Sequence, residues 1–188
     1  MFSLRSKNKY KDITPEIYQN IIERSRSKFF YLKLDIDDSF ESRFDIIILH
    51  SFIIFYFLKN ITENEKKLSQ LLFDYMFNDF DNNLREMGFG DIAVNKKMKV
   101  FITAFYGRIA NYSRGVDQIQ NKNDDEVLNS AILNNIYKGK KINPLYIGFF
   151  KKYIISNLDY FNSRDLKINI KDRFKFIDFP IEEQSNAR

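Results

Sequence analysis

Apolar residues recur at three- and four-residue spacing through most of this chain, which predicts helices. The clearest run is Met98, Phe101, Ile102, Phe105, Ile109 and Tyr112. Residues at that spacing share one face of a helix. Lys96, Lys99, Thr103 and Arg114 fall off this face, and Tyr106 and Arg108 sit on its opposite shoulders. A second run has the same period: Leu68, Leu71, Leu72, Tyr75, Met76, Phe80, Leu84 and Met87. Between the two lies Gly88-Phe89-Gly90. Glycine ends helices in a left-handed conformation, so both glycines read as a hinge. Asp91 then serves as an N-cap or first-turn acid. The pattern predicts a helical hairpin packed through its two stripes.

Other helices flank this hairpin. Thr14-Pro15-Glu16 is a helix start, carried on through Ile17 and Ile21 towards Ser27. The most apolar segment spans Phe40 to Lys59 and is broken only by a few polar residues, Arg43, Asp45, His50 and Ser51 among them. It falls short of the run of about 20 apolar residues that crosses a membrane, and it reads as a central buried helix. Off the main stripe of residues 63–88, Phe73 and Phe77 require either a further helix or a partner. Gly115 to Asn123 reads as a loop, Glu126 to about Tyr137 as a helix ended by Gly139, and Asn143-Pro144 as the start of a last helix to about Phe161. Leu166, Ile168, Ile170, Phe174 and Phe176 alternate like a strand. A lone strand has nothing to pair with, so an extended tail laid over the helices is expected, stopping at Pro180. The expected architecture is all-α, one compact domain of about six helices over residues 13–180. Residues 1–12 are polar and basic and are expected to be disordered, and residues 181–188 loose.

Composition narrows the function classes. With 20 Phe and 11 Tyr in 188 residues there is material for a real core. No Cys excludes disulfides and thiolate metal sites, and a single His excludes a multi-His zinc site. The net charge of +5 is an N-terminal property: residues 1–33 hold eight Lys/Arg and three Asp/Glu, and the rest of the chain is balanced. Arg24, Arg26 and Lys28 close the first helix, where they suit the negative end of its dipole. They read either as a solvated end or as a secondary surface for an anionic partner, lipid headgroups or RNA.

No catalytic constellation emerges. A Ser/His/Asp or Cys/His arrangement has no basis here, and Gly88-Phe89-Gly90 lacks the third glycine and the preceding strand of a phosphate loop. Asp79 to Asn83 faintly resembles a calcium loop, but Leu84 stands where glycine is needed and Gly90 where glutamate is needed. His50 in its apolar helix reads as a hydrogen-bonded core residue. The chain is expected to be no enzyme and to need neither metal nor cofactor.

Two segments carry a family resemblance. Arg43-Phe44-Asp45 with Leu49-His50 forms one, and Leu84 to Asp91 (LREMGFGD) followed by Tyr106-Gly107-Arg108 forms the other. Together they resemble the ubiquinol–cytochrome c chaperone family, assembly factors for the respiratory cytochrome bc complex. The likeness covers roughly residues 15 to 140, and beyond it only Phe176 to Pro180 is similar to the family's ending. It implies an all-helical domain that binds newly made cytochrome b, another subunit of the complex, or the synthesis machinery. The ribosome or a second assembly factor is a further candidate partner, and the basic end of the first helix allows peripheral contact with an anionic membrane; DNA is not expected. The chain resembles the shorter alphaproteobacterial members, which work in the cytoplasm near the inner membrane.

Under this reading the hinge is a polar corner offering Arg85, Glu86, Gly88, Gly90, Asp91, Tyr106 and Arg108 to a client. Equally, Arg85 and Arg108 brace the corner by pairing with Glu86, Asp81 or Asp91. Arg43, Phe44, Asp45 and His50 are assigned structural roles. Two other classes stay open: an RNA- or ribosome-binding module resting on the basic N-terminal part, and a quinone-like ligand in an apolar pocket beside His50.

Overall fold

A computed structural model describes residues 3–59, 63–163 and 174–179, and the side chains of 10–59, 66–163 and 174–179. Seven helices lie among them: α1 Ser3–Ser25, α2 Lys28–Lys33, α3 Phe40–Lys59, α4 Glu63–Glu86, α5 Asp91–Lys122, α6 Glu126–Ile136 and α7 Pro144–Ser163. No strand is present among the described residues. The all-α expectation holds, and the helix beyond the expected six is the short α2, capped by Ser27.

The apolar α3 is the axis of the fold. Ile46, Ile48, Leu49, Phe52, Ile53 and Ile54 are fully buried, because α1, α4, α5, α6 and α7 all pack around this one helix. The hairpin of α4 and α5 forms as expected. Phe73 and Phe77, which needed an explanation, meet the Phe105 ring of α5 at 5.5 and 5.4 Å between centroids. Two residues of the α4 stripe are not core: Tyr75 and Met87 are exposed. Tyr75 lies at the edge of the stripe against Tyr18, and Met87 follows the last helical residue, where the turn carries it off the face.

Two boundaries differ from expectation. The first helix begins at Ser3, not near Thr14, so the stretch expected to be disordered is helical from Ser3 on, with Pro15 inside the helix. Tyr10 packs against the core from this stretch, an apolar contact that a polar composition hides. The loop expected at Gly115 to Asn123 is helix through Lys122. Gly115 is no breaker: it lets α6 approach so closely that a Cβ there would lie 2.7 Å from the Leu128 Cα. The chain turns instead at Asn123, which is left-handed at φ 54°.

The expected tail is met in part. Phe174 to Phe179 lacks regular structure and lies over the helices, with Phe174 and Phe179 buried. The Asn157 side-chain carbonyl accepts the Ile177 N–H at 3.0 Å, and Phe179 stacks on Phe29. Leu166, Ile168 and Ile170, Pro180 and the expected loose residues 181–188 lie outside the described residues.

Candidate functional site

The hinge is a Gly88 left-handed turn. Its φ is +87°, and the Gly88 and Phe89 N–H groups close the end of α4 on the Arg85 and Leu84 carbonyls. Gly90 differs from the expectation of a second left-handed residue: its φ is −73° and ψ 161°, extended backbone that any residue adopts, and it is the N-cap of α5. Asp91 follows as the first-turn acid. Arg85 donates to Asp81 at 2.6 Å and to Asp91, which ties the two helix ends together across the turn. Glu86 beside it is exposed and takes no part in this brace.

Arg108 does not belong to this corner. It lies 17 residues beyond Asp91 on a continuous helix, about 25 Å away. Its guanidinium meets the carboxylate of Asp45 on α3 at 2.7 Å, and Lys138, just past α6, binds the other oxygen. Asp45 is 1% exposed. Burial raises its carboxyl above the usual range, while Lys138 and Arg108 act in the opposite direction. Lys138 reaches it from a left-handed backbone, φ 56°, just before Gly139 at φ 71°. The node thus joins α3, α5 and the end of α6. Tyr106, two residues away on the other shoulder, is exposed and rests its ring on Phe73.

The basic end of α1 also divides. Arg24 is spent inside the molecule: it donates to the Tyr153 hydroxyl and the Ile177 carbonyl, and its guanidinium lies 3.9 Å from the centre of the Phe179 ring. It fastens the tail and is not part of a free basic surface for an anionic partner. Arg26 and Lys28 are exposed. His50 is a core residue, as expected. Its Nδ1–H donates to the Ile46 carbonyl at 2.8 Å, which leaves Nε2 to accept from Tyr153 at 3.1 Å. Burial pushes its pKa down to about 3, so it is neutral at ordinary pH. Phe30, Tyr153 and Phe176 pack its ring, in place of the open pocket a quinone-like ligand would need.

The pattern alone did not disclose one apolar concavity. Beside the hinge, α1 to α5 enclose an apolar cleft of about 190 Å³. Phe44, Phe80 and Phe101 form a ring cluster at its base, with Phe44 and Phe101 4.7 Å apart, and Leu84 beside them. Tyr18 crosses from α1 to donate to Asp79 on α4 at 2.7 Å, so burial and this carboxylate raise its pKa. The rim mixes exposed apolar groups with cations. Phe40 is 48% exposed and Met87 60%, while Arg26 and Arg43 line the same opening. Arg43 is held by Asp38 through contacts of 2.6 and 2.9 Å and lies over Tyr31. The two segments that looked distinct in the sequence, Arg43-Phe44-Asp45 and Leu84 to Asp91, therefore meet: Arg43, Phe44, Leu84 and Met87 all line this cleft. An arginine-rimmed apolar cleft of this size takes one or two large side chains of a peptide segment. Among the described residues no group of three or more His, Cys, Asp or Glu could hold a metal. Nor is any described helix long and apolar enough to cross a membrane.

The chain is similar in sequence and fold to known proteins. The family model described as "Ubiquinol-cytochrome C chaperone" matches residues 32–167. The human protein "Ubiquinol-cytochrome c reductase complex assembly factor 1" is 26% identical over 164 residues, 86% of this chain and 53% of that protein. Its mouse counterpart is 24% identical over 158 residues, covering 84% and 52%. "Protein CBP3, mitochondrial" of Saccharomyces cerevisiae is 28% identical over 156 residues, covering 80% and 45%. The chain thus spans about half the length of the curated relatives it matches. The crystal structure of the Cbp3 homolog from Brucella abortus superposes with a TM-score of 0.73 at 27% identity, over 93% of this chain and 94% of that one.

Proposed function

The chain belongs to the ubiquinol-cytochrome C chaperone family, and from that premise we propose that it is an assembly factor for the respiratory cytochrome bc complex. Its client is newly made cytochrome b or another subunit of that complex, and it acts by binding, without catalysis. The carrying observation is the cleft beside the hinge, with its aromatic base and its rim of Phe40, Met87, Arg26 and Arg43. An apolar segment waiting for its partners needs its large side chains covered, and this cleft offers such cover. Exposed apolar groups around a concavity are where partners dock.

The neighbouring corner adds directed polar groups. Arg85, Glu86 and Asp91 sit on a turn made rigid by Gly88 and the Arg85 bridge, so donors and acceptors are held ready for a client backbone. Tyr106 lies outside this corner, about 22 Å along α5 from Asp91. Arg108 supports the site indirectly, by holding α5 against α3.

Met87→Glu together with Phe40→Ser tests this reading. Both side chains are exposed, so melting should shift little. Assembled cytochrome bc complex, followed by native gel and haem b absorbance in cells carrying the variant, should fall strongly. Full assembly with a normally folded variant would remove the cleft from the function.

A further inference from the structure

The outward face of α5 carries a second, separate surface. From Ile92 to Val116 the chain has five Lys/Arg and no Asp or Glu. On the helix, Ile92, Lys96, Lys99, Val100, Thr103 and Tyr106 turn to one outward side. Ile92 is 87% exposed, Val100 60% and Tyr106 57%. Lys96 and Lys99 are exposed, and among the described residues neither has an acidic partner. The nearest acid on the helix, Asp91, is turned about 100° from Ile92 and is paired with Arg85. Lys97, to the side, lies over the Phe89 ring at 4.7 Å.

We propose that this face is a docking surface for an anionic lipid bilayer, with α5 lying flat along the interface. Unpaired lysines interleaved with exposed apolar side chains match a layer that is negative at its surface and apolar just beneath. Lys96 and Lys99 meet headgroups, Ile92 and Val100 enter the acyl boundary, and Tyr106 sits at the level where a ring with a polar tip is favoured. Phosphate alone does not account for the surface, since Ile92 and Val100 have no use on a charged polymer. Gly107 keeps the face flat behind Tyr106: a Cβ there would meet nothing within 4 Å, so the fold itself does not require it. The inference stands apart from the client cleft, which opens beside Phe40 and Met87 on another side of the hairpin.

Co-sedimentation of the full chain with vesicles decides it. Binding is expected to phosphatidylcholine vesicles containing phosphatidylglycerol and not to phosphatidylcholine alone. The pair Lys96→Glu and Lys99→Glu should weaken that binding by about tenfold or more, as should raised salt. The pair Ile92→Ser and Val100→Ser should weaken it without changing its salt dependence. Melting temperatures of both pairs should match the parent, since every changed side chain is exposed. No binding to anionic vesicles would overturn the proposal, and so would binding that both pairs leave intact. Lysine-dependent binding to polyuridylate, with no vesicle binding, would overturn it in favour of a nucleic-acid phosphate backbone. Cytochrome bc assembly is read separately, so loss of the cleft's role and loss of lipid binding give different results.

Discussion

Arg108 on α5 meets the carboxylate of Asp45, buried on α3, at 2.7 Å. The pair joins the two helices that line the core from opposite ends of the chain's distinctive segments. A buried carboxylate is costly unless it is paired, so Arg108 and Lys138 together make Asp45 tolerable inside the fold.

Removing Arg108 should therefore act through stability. Arg108→Ala leaves Asp45 with Lys138 alone and should cost about 3 kcal/mol, read as a lower melting temperature. Cytochrome bc assembly should fall with it. Adding Asp45→Asn should recover part of the loss, because the uncompensated charge is gone. A double-mutant cycle with additive costs would show that the pair is not coupled.

Phe105 is the keystone of the hairpin interface. It is 3% exposed and meets Phe55, Phe73 and Phe77. Phe105→Ala should cost about 3–5 kcal/mol by denaturant unfolding. An unchanged midpoint would mean that the ring is not packed as described.

The two hinge glycines should separate on substitution. Gly88→Val places a β-branched residue at φ +87° and should cost about 1–3 kcal/mol. Gly90→Val meets nothing within 4 Å at an ordinary φ, so its cost should stay below about 1 kcal/mol, the loss of a good N-cap. Equal melting temperatures for the two variants would contradict this assignment.

Gly115 is needed for space. Gly115→Ala puts a methyl 2.7 Å from the Leu128 backbone, so α6 must move. A loss of about 1–3 kcal/mol is expected, against the small gain that alanine brings in an open helix. A stabilised variant would show that α6 yields easily.

His50 makes stability depend on pH. Its folded pKa, pushed down by burial to about 3, lies below its unfolded value near 6.5. The contribution is therefore fully present above pH 6.5 and is lost as pH falls from there towards 3. At pH 5 the loss should be about 2 kcal/mol, from 1.36 kcal/mol per pH unit. The nearby Arg24 cation works in the same direction. His50→Gln should be less stable at neutral pH and should show a flatter stability profile between pH 6.5 and 5, measured by urea midpoints.

Most helices were legible because their signals are local. The stripe Met98 to Tyr112 fixes which face of α5 is inward, and Asn143-Pro144 at one start and Gly88 and Gly139 at two ends set boundaries within a few residues. The extension of α5 through Gly115 was not legible. A glycine's local signal says turn, and only the neighbouring α6 explains why a side chain must be absent there. The same holds for Gly90, whose spacing from Gly88 implied a shared conformation that the capping geometry does not need.

The sequence by itself determined an all-helical core built on the apolar Phe40–Lys59 segment, a hairpin turning at Gly88-Phe89-Gly90, a core position for His50 and a family. All of these depend on periodicity, capping chemistry or residue strings, which neighbours along the chain carry. Only the tertiary structure decided that Arg108 serves Asp45 and not the hinge, that Arg24 fastens the tail, and that Phe40, Phe44, Leu84 and Met87 surround one cleft. Those relations join residues tens of positions apart. They depend on how each helix is rotated and how closely it packs, and no spacing within a single helix records that.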